Sequence, residues 1–220
     1  MDVTAPVWVI VVAAGTGNRF GRLKQYEQLG GRRVLDWSLS AARAVADGVA
    51  VVVPPDRVSR PEPAADAVVA GGPTRSASVR AGLAAVPDGA GVVVVHDGAR
   101  PLAGPDLFAA VVAAVRSGAD AAVPVVGLTD TLRRRDGATV ARDDLVAVQT
   151  PQAFPAGVLR DAHAPAPEAT DDASLVEAGG GKVVLVDGSL ANLKLTHPAD
   201  LVVAEALLRA GAAGTAGRAS

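Results

Sequence analysis

An apolar run, Val7 to Ala13, leads into Ala14-Gly15-Thr16-Gly17-Asn18-Arg19-Phe20-Gly21, with Lys24 close behind. Glycines directly after a buried strand let backbone N–H groups approach a phosphate, and α/β folds gather ligands at the carboxyl ends of their strands. Two familiar phosphate loops do not fit. A Walker A motif closes on Gly-Lys-Ser/Thr, and the dinucleotide fingerprint requires a third glycine where Phe20 stands. What distinguishes this loop is a pair of cations, Arg19 and Lys24, suited to a polyphosphate. The plainer reading is that the glycines make a turn and the cations are solvated.

Asp97 ends a second apolar run in Val95-His96-Asp97-Gly98-Ala99-Arg100-Pro101. A carboxylate there suits Mg²⁺ over a triphosphate, since Mg²⁺ takes one or two carboxylates and fills its shell with phosphate oxygens. Equally, Asp97 could cap a turn or pair with Arg100. His96 lacks a second His or Cys at metal-ligand spacing and reads as a packed side chain. Gly71-Gly72-Pro73-Thr74-Arg75-Ser76-Ala77-Ser78 opens a helix whose capped N-terminus suits an anion or a base edge, though capping alone explains its Ser and Thr. Thr170-Asp171-Asp172-Ala173-Ser174 reads as a capped, acidic first turn. Lys194, in Asn192-Leu193-Lys194-Leu195-Thr196, is one of three lysines beside eighteen arginines. On a predicted strand it also suits the guarding of a sheet edge.

The elements that must position these residues alternate. Apolar runs at Val7–Ala13, Val49–Val53, Ala67–Ala70, Val92–Val95 and Ala121–Val126 predict strands buried on both faces. Between them Arg33–Ala46, Thr74–Val86 and Pro105–Arg116 carry apolar residues at helical spacing. Alternation of this kind implies a doubly wound α/β domain with a mainly parallel sheet. Beyond Leu128 the pattern changes: Thr129–Arg135 and Ala138–Arg142 flank Asp136-Gly137, a dipeptide suited to a tight hairpin turn. This hairpin is too polar to make its own core and needs support from elsewhere. A strand at Leu145–Thr150, helices at Pro155–His163 and Asp171–Ala178, strands at Val183–Val186 and Leu190–Leu195, and a helix at Pro198–Arg209 complete the domain. The tail from Gly211 to Ser220 reads as disordered.

The composition narrows the function classes. The chain has 220 residues, 50% hydrophobic and 20% charged, with a formal net charge of −2. It carries no overall positive field for a nucleic-acid backbone or an anionic membrane. The absence of cysteine removes disulfides, thiolate metal sites and a cysteine nucleophile. The first residues lack a basic segment and the first apolar run is too short to span a bilayer, so a cytoplasmic protein is expected.

Taken in order, AAGTGNRFG with KQY, GGPTRSASVRAGL, VHDGARP, DTL, VAR with AVQTPQAF, TDDASLVE and NLKLTHPADL resemble the 2-C-methyl-D-erythritol 4-phosphate cytidylyltransferase family over almost the whole chain, Val9 to about Leu208. The resemblance implies a Rossmann-like nucleotidyltransferase domain over residues 1–210 that moves a cytidylyl group from CTP to 2-C-methyl-D-erythritol 4-phosphate, with Mg²⁺, in non-mevalonate isoprenoid synthesis. It implies catalytic roles for Arg19, Lys24, Asp97 and Lys194, with Asp97 toward the metal. Ala14, Gly15, Thr16, Gly17, Gly72, Ser78 and Gly98 would hold the nucleotide, and Asp97, Arg100, Thr150 and Lys194 the acceptor. Residues 129–146 would be an arm protruding to a second subunit, so that Thr131 and Arg142 complete the partner's acceptor site in a homodimer. Pro73 has no N–H to offer a pyrimidine, which implies looser base selectivity. With the chain ending after one domain, no fused downstream synthase is expected. Competing readings are a ribitol 5-phosphate cytidylyltransferase, a non-catalytic nucleotide-binding protein and a dinucleotide-dependent oxidoreductase, the last opposed by Phe20.

Overall fold

A computed structural model describes residues 4–216. Strand β1 (Val7–Val12) is followed by a ribbon, β2 (Gln28–Leu29) and β3 (Arg32–Arg33), by helix α1 (Val34–Arg43), and by strands β4 (Gly48–Val53) and β5 (Ala67–Ala70). Helix α2 (Arg75–Ala84), β6 (Val92–Asp97), α3 (Pro105–Arg116) and β7 (Ala121–Gly127) continue the alternation. Then come a small hairpin, β8 (Leu132–Arg133) and β9 (Thr139–Val140), and two strands, β10 (Val146–Val148) and β11 (Gln152–Pro155). Helices α4 (Ala156–His163) and α5 (Ala173–Ala178), strand β12 (Val183–Asp187) and helix α6 (Pro198–Ala216) complete the chain.

The strands β10, β7, β11, β6, β1, β4 and β5 lie side by side in that order, and β12 also pairs with β7. β1 runs parallel to both β6 and β4, β4 to β5, and β12 to β7. Successive side chains of a strand point to opposite faces, so a strand covered on both sides must be apolar throughout. β1 obeys this. Val9 and Val11 pack with Leu35 and Leu39 of α1 and with Phe108 and Val111 of α3, whereas Ile10 packs with Val79 and Leu83 of α2 and Leu159 of α4. The result is the doubly wound arrangement expected, with every strand of the β6-β1-β4-β5 half pointing its carboxyl end the same way.

The helices start where local chemistry allows. The Thr74 side chain accepts from the Ala77 N–H at 3.0 Å, and α3 begins on Pro105, whose missing N–H is one that a first turn leaves unpaired in any case. Ahead of α1, the Asp36 carboxylate accepts the Arg33 N–H at 2.9 Å.

Four expectations change. The strand predicted over Leu145–Thr150 shortens to β10, and Gln152–Pro155, bracketed by Pro151 and Pro155, forms β11, antiparallel to both β6 and β7. Two prolines in five residues suggest a break. Here they sit at the ends of a short strand whose interior is fully covered, and the Gln152 amide group donates to Asp171 at 3.2 Å and accepts from the Ala173 N–H at 3.3 Å. Leu190–Leu195 is a loop rather than a strand, held by a Leu195 N–H bond to the Ala99 carbonyl at 2.8 Å and by the buried Asn192. The hairpin keeps its Asp136-Gly137 turn, with Gly137 at φ +100, but its ladder is only two residues on each strand. Finally, α6 continues to Ala216 where a disordered tail was expected from Gly211, and residues 217–220 lie outside the described residues. Among the described residues no helix is long and apolar enough to cross a membrane.

Candidate active site

A cleft of about 820 Å³ opens at the carboxyl ends of β1, β4, β5 and β6. Its walls include Ala14, Gly15, Thr16, Arg19 and Lys24 from the loop after β1, Gly72 and Ser78 around the start of α2, Asp97 from the end of β6, and Lys194 from the loop before α6. Nine residues singled out in the sequence are thus brought to one cavity from four separate segments. The loop after β1 is fixed from beneath: Gln25, almost fully buried, donates to the Ala13 carbonyl at 2.7 Å and to the Gly15 carbonyl at 3.1 Å. Gly17 holds φ +70, and a Cβ there would lie 1.9 Å from the Arg22 carbonyl oxygen, so the loop admits only glycine. At Gly71 the two walls meet, a Cβ there falling 2.2 Å from that of Ala14.

Asp97 is the electrostatic centre of the cleft. Its Oδ2 lies 2.5 Å from the Lys194 ammonium and its Oδ1 3.3 Å from Arg75 Nε, while its own N–H donates to Thr150 Oγ1 at 3.0 Å. Burial opposes its charge, but Lys194 first and Arg75 second outweigh burial and hold the carboxyl well below the usual carboxylate range. Lys24 responds the other way. Burial, then the neighbouring Lys194 charge, lower its pKa from the ordinary 10.5, with Asp97 pulling partly back. Arg19, Lys24, Arg75 and Lys194 outnumber the two carboxylates that line the cleft, Asp56 and Asp97, and this excess prepares the region for an anion with several charges.

Residues 7–210 match the family described as IspD: 2-C-methyl-D-erythritol 4-phosphate cytidylyltransferase. The chain belongs to this family. The 2-C-methyl-D-erythritol 4-phosphate cytidylyltransferase of Rhodococcus jostii is 45% identical over 96% of this chain and 99% of its own length, and that of Thermus thermophilus is 46% identical over 92% and 97%. The crystal structure of the Thermus thermophilus enzyme superposes with a TM-score of 0.80 at 40% identity, covering 91% of this chain and 98% of that one. The chain also spans about half the length of bifunctional relatives. It covers 56% of the bifunctional enzyme IspD/IspF of Clavibacter michiganensis and 55% of that of Dinoroseobacter shibae, at 44% and 43% identity.

Within this cytidylyltransferase family member the remaining predicted residues sit outside the cleft wall. Thr150 stands behind Asp97, and its hydroxyl also lies 3.2 Å from His96 Nδ1. Arg100 donates to the Asn192 carbonyl at 2.7 Å and to the Val148 carbonyl at 3.4 Å, steadying the loop that carries Lys194. Gly98 faces the protein interior, where a Cβ would come within 3.2 Å of that of Ala13. Gly17 shapes the loop without lining the cavity. Thr131 and Arg142 are exposed on the hairpin, the Arg142 guanidinium donating to the Thr129 carbonyl. Reading the sequence missed Arg75 and Gln25, both of which line the cleft. Each stood inside a quoted motif, but nothing local indicates a partner 22 residues away for Arg75 or a backbone carbonyl 12 residues away for Gln25.

Among the described residues no group of three or more His, Cys, Asp and Glu could hold a metal ion by itself. The carboxylates lining the cleft are Asp56 and Asp97. A donor set this small fits Mg²⁺ arriving with a polyphosphate and taking most of its ligands from it. The Lys194 ammonium against Oδ2 shows that Asp97 has an oxygen placed to face a cation.

Proposed function

We propose that this protein transfers the cytidylyl group of CTP to 2-C-methyl-D-erythritol 4-phosphate, releasing pyrophosphate, in the cytoplasm and as a homodimer. The observation that carries the reading is the convergence of Arg19, Lys24 and Lys194 around a buried, ionised Asp97 in a glycine-walled cleft. Such a constellation has two ends, a cradle for a triphosphate and a cation beside a second anion. A simple nucleotide-binding module needs only the first.

The chemistry then requires little from protein acids and bases. The second ionisation of a phosphate monoester lies near pH 6, about a unit below neutrality, so the acceptor phosphate enters largely as its own nucleophile. One of its oxygens bonds to the α-phosphorus of CTP, the bond from that phosphorus to the α,β-bridging oxygen breaks, and the electron pair leaves on pyrophosphate. Catalysis falls to positioning and to stabilising charge at the α-phosphate and leaving group. Arg19 and Lys24 serve the triphosphate, with N–H groups of Gly15 and Thr16 cradling its oxygens and Gly17 holding their loop in shape. Ala14, Gly72, Ser78 and the Gly98 turn shape the nucleoside end. Lys194 and Asp97 receive the acceptor, Asp97 toward its hydroxyls, with Arg100 and Thr150 supporting them from behind. When bound, Mg²⁺ neutralises phosphate charge, and Asp97 is the residue that would hold it. Thr131 and Arg142 reach the acceptor site of the other subunit. Pro73, at the cleft wall without an N–H, loosens discrimination at the base.

The deciding experiment measures pyrophosphate release from CTP and Mg²⁺ with 2-C-methyl-D-erythritol 4-phosphate and, in parallel, with ribitol 5-phosphate. Release that depends on the first acceptor is expected. Preference for ribitol 5-phosphate would keep the chemistry and replace the acceptor, and release with neither would remove the transfer reaction.

A further inference from the structure

Behind Asp97 the structure holds a row of side chains whose inner members, Arg75, Asp172 and His163, have no part in the proposed transfer. Lys194 Nζ, Asp97, Arg75, Asp172 and His163 follow one another at 2.5 Å, 3.3 Å, 2.8 Å and 3.0 Å. Each oxygen of Asp97 faces a different cation, Oδ2 facing Lys194 and Oδ1 facing Arg75. Asp172 is likewise held at both oxygens, Oδ2 facing Arg75 and Oδ1 lying 3.0 Å from His163 Nε2. Arg75 therefore bridges two carboxylates, one at the cleft and one wholly inside the protein.

The two cations on Asp97 are held very differently. Lys194 sits on a loop with 39% of its side chain exposed, whereas Arg75 begins α2, with 22% of its side chain exposed, and is gripped from behind by a side chain only 1% exposed. Burying a carboxylate as deeply as Asp172 is costly unless it is paired; its counter-charge is Arg75, and its other oxygen is hydrogen-bonded with the His163 ring. Asp172 does not line the cleft. Its effect on the cleft must pass through Arg75.

From this arrangement we infer that Arg75 is a positioning residue: it is the fixed counter-charge of Asp97, anchored by Asp172 and His163, and it leaves Lys194 as the cation free to turn from Asp97 to a ligand phosphate. Asp97 is 8% exposed, so without a second partner it would be left buried and unpaired each time Lys194 moved. With Arg75 in place the carboxylate keeps its charge and orientation while Lys194 exchanges one anion for another. Burial disfavours the Arg75 charge, but Asp172 and Asp97 more than restore it and raise its pKa, so the guanidinium stays charged throughout. The inference rests on the proposed reading of the cleft as a site for two phosphorylated ligands.

The small number of lysines makes the movement observable, since only Lys24, Lys182 and Lys194 carry ε-ammonium groups. Protein labelled at lysine with ¹³C and ¹⁵N is saturated with the α,β-methylene analogue of CTP and Mg²⁺, then titrated with 2-C-methyl-D-erythritol 4-phosphate. A shift of the Lys194 side-chain signal is expected in the wild type, and a much smaller one in Arg75→Gln, where Lys194 becomes the sole partner of Asp97. In turnover, Arg75→Gln is expected to lower kcat/KM for the acceptor by about tenfold or more while KM for CTP changes by less than about threefold. Arg75→Lys keeps the charge but cannot span both carboxylates, so it recovers only part of the loss. Combining Arg75→Gln with Asp97→Asn should add little beyond Asp97→Asn alone, because the pair acts as a unit. Equal losses for both substrates that track a lowered urea midpoint, or strictly additive effects, would make Arg75 only a strut between α2 and α5 and overturn the inference. If the wild type transfers nothing to the acceptor, it is the proposed function that has failed. The titration is then run with inorganic phosphate, and a Lys194 shift that is absent, or is unaltered by Arg75→Gln, overturns the inference on its own terms.

Discussion

Lys24 is the side chain on which the site's preparation for an anion can be read in solution. Burial and the nearby Lys194 charge both favour its neutral form, and its pKa lies below the ordinary 10.5 of lysine. On the proposed reading a triphosphate needs the charge on Lys24, so binding of CTP should weaken as pH rises through that lowered value. The alkaline limb of kcat/KM for CTP, which reports the free enzyme, should therefore begin below the ionisation of a free lysine. Lys24→Arg, charged across the whole range, should turn over more slowly but lose this limb when the profile is measured between about pH 7 and about pH 10. An unchanged limb in the variant would assign it to another group. Arg19, Lys24, Asp97 and Lys194 were legible in the sequence because charge beside glycine, or at the end of an apolar run, stands out locally. Arg75 and Gln25 were not. An arginine in the first turn of a helix and a glutamine in a short 3-10 turn have ordinary local explanations, and their importance comes from partners that only folding supplies.

At the level of elements, alternation of valine runs and amphipathic helices carried the β6-β1-β4-β5 half of the sheet, since a strand buried on both faces has a composition no surface segment shares. β11 escaped because prolines at its ends mimic a break, and the Lys194 loop imitates a strand because Leu193 and Leu195 alternate with Lys194 and Thr196, with Leu190 adding an apolar start. Only Leu195 of these is fully buried; Leu190 is 75% exposed. The hairpin of β8 and β9 was legible through Asp136-Gly137, yet its two-residue ladder is less than an isolated ribbon needs for stability in water. Beside it, Leu145, Val146 and Val148 remain exposed on or next to β10, an apolar strip contiguous in sequence with the arm. A second copy of the chain would support the arm and cover the strip. If Arg142 acts across such a dimer, Lys24→Ala and Arg142→Ala should each be nearly inactive alone. Mixed after subunit exchange, they should regain about a quarter of wild-type activity, because half the dimers are mixed and each of those has one intact site. Failure to complement, with subunit exchange verified, would place Arg142 in its own subunit's site or outside catalysis.

For the whole molecule, the same burial that organises the cleft sets a limit on its tolerance of acid. His96 lies in the central strand β6 directly before Asp97, with its ring 4.9 Å from that of Phe108 on α3. A neutral ring fits this place. Nε2–H can donate to the Arg100 carbonyl at 3.2 Å while Nδ1 accepts from the Thr150 hydroxyl, which satisfies both nitrogens without a charge. Burial drives the pKa of His96 down to about 4, with Asp97 resisting and Arg100 assisting. The unfolded chain binds this proton near the ordinary 6.5, and the native chain binds it only near 4. Between those values the unfolded state carries more protons, so stability falls as pH drops through the window, by on the order of 3 kcal/mol for a fully buried ring. Asp97 acts lower down. Its native pKa is depressed below the ordinary 3.8, so its contribution is intact throughout the His96 window and is lost only under stronger acid. Urea midpoints measured at fixed protein concentration should therefore fall steadily from about pH 6.5 to about pH 4. In His96→Asn, which keeps a hydrogen-bonding group and removes the titration, the slope over that interval should flatten even though the protein is less stable at neutral pH. An equally steep fall in the variant would locate the acid sensitivity elsewhere. A flattened one would tie the stability of the entire sheet to the residue adjoining the carboxylate on which the site is built.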